Sequence, residues 1–323
     1  LKQAPKRKLL AADRLPSAPR RFNPQALPPA CNGNPVMTET LRPRRSALYL
    51  PASNPKALAK ARTLDADVVI LDLEDAVAPE AKAEARAAAV AAVAEGGFGR
   101  RELVVRANAL STAWGADDLA AIAAAGPEAV LVPKIDGPQD IAVYDRALAS
   151  APVHTRLWVM IETCAVVPRL DEVAACAGST RLAGFVLGTN DLAKEMRARL
   201  TAARTPFLPI LTAAVCAARA HGLVVFDGVC NEFRNLAAFR AEAQQGLEFG
   251  FDGKTLIHPD QIPPCNAVFS PSAEEVAWAE AVVAAFGLPE NAGKGAIKVD
   301  GKMVELLHLD QARRVLAIAA AVA

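Results

Sequence analysis

From Ser46 onward the chain alternates short, continuously apolar runs with longer Ala-rich stretches of helical character. The apolar runs are Ser46–Leu50, Val68–Leu73, Leu103–Val105, Ala129–Val132, Leu157–Ile161, Gly184–Leu187, Val224–Phe226 and Thr255–Ile257. Between them lie Pro79–Ala94, Ala116–Ala125, Pro138–Ala149, Leu211–Ala220 and Leu236–Gln245. Runs that are apolar throughout, rather than at every second position, are expected of strands buried on both faces of a parallel sheet. Eight such strands with intervening helices predict a (β/α)₈ TIM barrel over residues 42–270. Residues 271–323 then form a C-terminal helical extension, whose last helix is expected over Val304–Ala320. An open doubly wound sheet is the competing α/β architecture. It wants a Gly-rich phosphate turn after the first strand, and Pro51-Ala52-Ser53-Asn54-Pro55 is not one.

Polar residues close almost every strand. Asp72, Glu74 and Asp75 follow the second, Arg106 and Asn108 the third, and Lys134 the fourth. Glu162 and Thr163 follow the fifth, Asn190 and Asp191 the sixth, Asp227 the seventh and His258 the eighth. Any one of them could be a helix cap or a solvated loop residue. Their recurrence at the C-terminal strand ends, where barrel enzymes keep their active sites, predicts a site on that face.

Glu162 and Asp191 follow adjacent strands, so their carboxylates can approach, and such a pair repels unless a cation or proton lies between. Hard oxygen ligands without a neighbouring His or Cys pair suit Mg²⁺, with Mn²⁺ as an alternative. The competing arrangement satisfies the pair with Arg106 or Lys134 and no metal. Arg106 and Lys134 aim at the same cavity, and a guanidinium suits a carboxylate or an enolate oxygen. A structural ion pair to Asp72 or Glu74 competes with that role, more strongly for Lys134 than for Arg106.

Composition narrows the class. A net charge of +1 argues against nucleic-acid or membrane-surface partners, and no apolar run reaches the ~18 residues of a membrane span. The six scattered cysteines form no C-x-x-C pair, which fits reduced thiols in a cytoplasmic protein. Residues 1–36 differ from the rest, with seven Lys/Arg, seven prolines and one acid, Asp13. A disordered native extension, non-native sequence upstream of a start at Met37, and an Arg-rich transit peptide compete there. The prolines argue against the last.

Several stretches together resemble the citrate lyase β-subunit-like and malyl-CoA lyase family of the HpcH/HpaI aldolase superfamily. They are Arg45–Pro51, Ile70–Val77, Val105–Asn108, Val132–Lys134, Ile161–Thr163, Leu187–Leu192 and Gly253–Pro259, in family order over about residues 42–320. The resemblance implies a Mg²⁺-dependent CoA-ester lyase that cleaves malyl-, β-methylmalyl- or citramalyl-CoA to an acyl-CoA and a small 2-oxo acid. A malyl-CoA thioesterase and a citrate lyase β-like protein are the alternatives it leaves. A non-enzymatic binding module would retain the pocket without turnover.

The same resemblance implies Glu162 and Asp191 as metal ligands. It gives Arg106 the keto-acid carboxylate and the enolate oxygen, and Asp72, Glu74 and Asp75 the water on the metal. Arg45 and Lys82 match the family's contacts to CoA phosphates. Asp300, in Gly293–Met303, matches an acid/base supplied by a neighbouring subunit, which implies a homotrimer or a dimer of trimers. One departure is Cys164, where many relatives have Pro.

Overall fold

The computed structural model describes residues 42–322; the expectations for residues 1–36 lie outside them. Eight parallel strands close in sequence order into a barrel, β1 next to β8. The strands are β1 (Ser46–Pro51), β2 (Val68–Asp72), β3 (Glu102–Arg106), β4 (Ala129–Val132), β5 (Arg156–Ile161), β6 (Leu182–Leu187), β7 (Val224–Asp227) and β8 (Gly253–Leu256). Around them run α1 (Pro55–Ala61), α2 (Lys82–Glu95), α3 (Gly115–Ala125), α4 (Pro138–Ala147), α5 (Leu170–Ala175), α6 (Thr189–Met196), α7 (Leu208–Ala220), α8 (Leu236–Phe249) and α9 (Ile262–Val268). The predicted strands are matched to within two residues at each end.

Alternation along each strand divides the core in two. Inside the barrel, Ala47, Val68, Ile70, Val104, Leu131, Trp158, Met160, Val186 and Phe226 pack on one another. The Trp158 and Phe226 rings lie 5.1 Å apart. Gly184 makes room for them, because a Cβ there would fall 3.0 Å from the indole. The intervening residues, such as Val69, Leu71, Val105 and Val159, face the helices and form the larger outer core. Both layers are buried, which is why the strands read as unbroken apolar runs.

This two-residue period corrects one expectation. Phe226 points into the barrel, so Asp227 points out toward α8 rather than into a site. It is fully buried there, with Arg204 Nη1 donating at 2.6 Å and Lys254 Nζ at 2.8 Å. Lys254, itself fully buried, also reaches Glu242 at 2.7 Å. The two cations outweigh the burial that would otherwise raise Asp227, and its carboxyl lies below its ordinary range. Asp227 is therefore a structural charge.

Beyond α9 follow α10 (Ala273–Phe286), β9 (Ala296–Val299), β10 (Lys302–Glu305) and α11 (Leu306–Val322). β9 and β10 form an antiparallel hairpin not expected from the sequence. Its two-residue turn is Asp300-Gly301, with φ of 46° and 83°, the left-handed pair that a type I′ hairpin demands. The hairpin packs Ile297, Val299 and Val304 on Val282 and Leu309 in a small core of its own. Arg314 of α11 reaches back to Asp252, just before β8, at 3.0 Å. The extension is thus tied to the N-terminal pole of its own barrel.

Candidate active site

At the C-terminal ends of the strands lies a cavity of about 280 Å³, with Tyr49, Asp72, Asp75, Arg106, Met160 and Asp191 in its wall. Strand parity puts these side chains there: Tyr49, Asp72, Arg106, Met160 and Glu162 each continue the inward-facing series of their strand.

Arg106 is buried and heavily engaged. Its Nε and Nη2 both donate to Asp72 at 2.7 Å. Its Nη1 lies 2.6 Å from Glu74 and 3.3 Å from Asp75, and its guanidinium carbon sits 4.9 Å from the centre of the Tyr49 ring. Burial opposes its charge, but Asp72 outweighs burial and holds the guanidinium protonated well above its ordinary range. The bidentate fork expected to grip a substrate carboxylate is therefore spent on Asp72, and Nη1 is the end near Glu74 and Asp75. Asp72 also accepts the backbone N–H groups of Glu74 and Ala76, at 2.9 and 3.1 Å, which fixes the loop after β2. Burial pushes the Glu74 carboxyl up to about 8 despite Arg106, with Asp75 and Glu162 pushing the same way.

Glu162 and Asp191 are brought together, and Lys134 lies between them. Its Nζ is 3.2 Å from Glu162 Oε1 and 2.8 Å from Asp191 Oδ2. The backbone N–H of Lys134 donates to the same Glu162 oxygen at 2.8 Å. To do both, Lys134 adopts φ 54°, a left-handed conformation uncommon for a side-chain-bearing residue. Burial alone would lower the ammonium, but the hydrogen bond to Asp191 and the Glu162 charge raise it. Glu162 is raised by burial against the pull of Lys134.

The other oxygen of Glu162, Oε2, is buried with no hydrogen-bond partner. Gly188 leaves it space, since a Cβ there would fall 2.7 Å away. An orphaned carboxylate oxygen beside a second carboxylate fits a hard divalent cation. Among the described residues no closed group of three or more His, Cys, Asp or Glu is present. The two carboxylates thus suit an ion that takes its other ligands from water or substrate.

Two of the binding residues implied by the resemblance are engaged with the protein itself. Arg45 precedes β1 and so lies at the opposite pole of the barrel. Its Nε and Nη2 are bound to Asp67 at 2.8 and 2.9 Å. Lys82 is near the site but buried, and its three donors are taken by Leu73 O, Glu74 O and Asn108 Oδ1 at 2.7, 2.7 and 2.8 Å. It braces the β2 loop and has no donor left for a phosphate. His258 is also outside the cavity, where it caps the turn at Pro259–Gln261.

Tyr49 is the residue that sequence reasoning missed. Its hydroxyl is buried without a hydrogen-bond partner, and burial raises it above its ordinary value. An aromatic interrupting the aliphatic run of β1 was the available signal. Cys164 donates its backbone N–H to Glu195 at 2.9 Å, a bond that proline could not make.

Asp300 stands at the exposed tip of its hairpin, six residues before α11, so it does not cap that helix. Among the described residues, the cavity wall draws on no part of the extension.

Residues 45–259 match the family model described as HpcH/HpaI aldolase/citrate lyase. A (3S)-malyl-CoA thioesterase of Cereibacter sphaeroides is 45% identical over 287 residues, covering 89% of this chain and 98% of the relative. An L-malyl-CoA/β-methylmalyl-CoA lyase of the same species is 33% identical, covering 84% and 93%. Among solved structures, the protein CitE of Mycobacterium tuberculosis, in complex with magnesium, acetoacetate and coenzyme A, matches with a TM-score of 0.70. It is 30% identical, covering 85% of this chain and 97% of that one.

Proposed function

Because the chain belongs to the HpcH/HpaI aldolase/citrate lyase family, we propose that it is a divalent-metal-dependent enzyme whose substrate is a malyl-type CoA thioester, with hydrolysis to malate and CoA as its net reaction. The observation that carries hydrolysis is the 45% identity to a malyl-CoA thioesterase along 98% of that relative. The 33% identity to a malyl-CoA lyase supports the second reading, reversible cleavage to an acyl-CoA and glyoxylate.

Glu162 and Asp191 would hold the cation, with Mg²⁺ favoured by their hard oxygens. When bound, it supplies Lewis-acid polarisation of a substrate oxygen. Lys134, released from the pair, is free to meet the substrate carboxylate. Asp72 locks two edges of the Arg106 guanidinium. Nη1 would stabilise negative charge on the thioester oxygen by exchanging its longer contact, to Asp75 at 3.3 Å, for that oxygen. Asp300, contributed by a neighbouring subunit, acts as the general base. In hydrolysis it takes a proton from water as the new C–O bond forms, and returns it to the departing CoA sulfur as the C–S bond breaks. In cleavage it would instead take the proton of the substrate hydroxyl as the C–C bond breaks and pass it to the enolate carbon of the acyl-CoA.

The trans assignment is supported by the anchoring of the extension at the far pole through Arg314 and Asp252. It implies an oligomer in which each barrel receives a hairpin, as in a trimer or a dimer of trimers.

The test is product analysis on (3S)-malyl-CoA, β-methylmalyl-CoA and citramalyl-CoA. Free CoA with malate supports hydrolysis. Acetyl-CoA with stoichiometric glyoxylate assigns the lyase, and no turnover of any of the three refutes both.

A further inference from the structure

A cavity of about 600 Å³ lies at the other pole of the barrel. Its wall comes from the segment before β1, the start of β7, the turn before β8 and the outer face of α11. Leu223, Phe251 and Phe269, all buried, give it an apolar floor. Five guanidiniums ring that floor, those of Arg42, Arg44, Arg45, Arg219 and Arg314, against one carboxylate, Asp252.

Each of the five is ion-paired, but not with all of its donors. Arg42 is paired with Glu128, Arg44 with Glu102 and Arg45 with Asp67. Arg219 and Arg314 must share Asp252. Arg219 takes both of its oxygens, at 2.8 and 2.9 Å, and Arg314 adds a third contact at 3.0 Å. Arg314 spends a single N–H on Asp252 and is half exposed. Arg42 spends only Nη2, on Glu128 and on the Arg100 carbonyl. Planar forks with unspent donors facing a common space suit phosphate or carboxylate oxygens.

We propose that this cavity is a second ligand site, distinct from the catalytic one, for a compact anion of two or more charges carried on a small organic body. The anion would bridge Arg314 of α11 to Arg42 ahead of β1. Because α11 belongs to the extension that carries Asp300, binding would fasten the extension to its own barrel.

The test is calorimetric titration of the full chain, in EDTA-containing buffer, with inorganic pyrophosphate and, separately, with tricarballylate. Whichever binds tells phosphoryl from carboxylate ligands. The expected result is one site per chain for at least one anion. Arg42→Gln/Arg314→Gln should weaken it at least ~10-fold, as loss of charge-assisted hydrogen bonds worth about 1.4 kcal/mol or more requires. Arg106→Lys should leave it unchanged. Both arginines of the double variant are partly exposed, and an unchanged melting temperature without ligand verifies its fold. Bound anion should also slow amide exchange across 306–322 in the wild type. Absence of binding by both anions at about 10 mM, beyond even weak millimolar affinity, would overturn the proposal. So would binding that is lost in Arg106→Lys but survives in the double variant.

Discussion

Replacing Lys134 with Met removes the ammonium that now sits between the two proposed metal ligands, while keeping the side chain's length and the backbone N–H bond to Glu162. At 2.8 and 3.2 Å, and with an effective dielectric constant near 20, the two attractions are ~6 and ~5 kcal/mol in gross terms. Lys134 and Asp191 are each about a third exposed, so solvent screening and recovered ammonium hydration leave only a small fraction of that sum. We take a net of about 1–2 kcal/mol, which a divalent ion must overcome to enter the wild-type pair. Lys134→Met should therefore bind Mg²⁺ about 10-fold more tightly. The metal-free variant should melt lower, because two carboxylates lose their shared cation, and added Mg²⁺ should recover more melting temperature than in the wild type. Calorimetric Mg²⁺ titration of both proteins after EDTA treatment, paired with thermal melts, measures each quantity. Equal or weaker Mg²⁺ binding by the variant would mean that Lys134 supports the ion rather than competing with it, and the reasoning would be wrong.

Lys254→Met should cost about 3–5 kcal/mol in urea unfolding, since it strips a buried cation from Asp227 and Glu242; a loss below ~1 kcal/mol would refute a structural role. Glu74, with its carboxyl raised to about 8, contributes stability that is complete below its ordinary value of 4.5 and lost as pH rises through 8. Glu74→Gln should flatten the fall in melting temperature between pH 5 and about 8 relative to wild type, and parallel curves would discount the shift. Asp300→Asn and Glu162→Gln should each abolish turnover alone. Hybrids of the two should recover part of it, and verified hybrids without activity would place Asp300 in its own chain or outside catalysis.

The barrel was legible because β strands buried on both faces leave an unmistakable run, as in Val68–Val69–Ile70–Leu71. The site was half legible. Counting polar residues at strand ends picked out Asp72, Arg106 and Asp191, which line the cavity, and Lys134 and Glu162 beside them, but it also admitted Asp227. Tracking parity from Phe226 would have excluded that residue. Arg45 and Lys82 were expected from the resemblance alone, which says nothing about which pole a residue occupies or whether its donors are spent. The Asp300-Gly301 hairpin was written plainly as Asp-Gly between alternating residues. Its packing is not legible locally, because its apolar partners, Val282 and Leu309, lie in helices on either side.

The interior of the barrel carries a consequence for traffic and signalling. Trp158, Met160 and Phe226 fill the space between the poles, each no more than a few per cent exposed. The molecule has a solid axle where a tube might be imagined. No ligand can migrate along that axis from the arginine-lined end to the catalytic end, and no chain of ordered water can relay a proton through it. Whatever happens at one pole can be felt at the other only around the outside, through helices that slide on the barrel wall. In the proposed oligomer a second route would run through a neighbouring molecule, its extension fastened to one barrel and its hairpin tip reaching another.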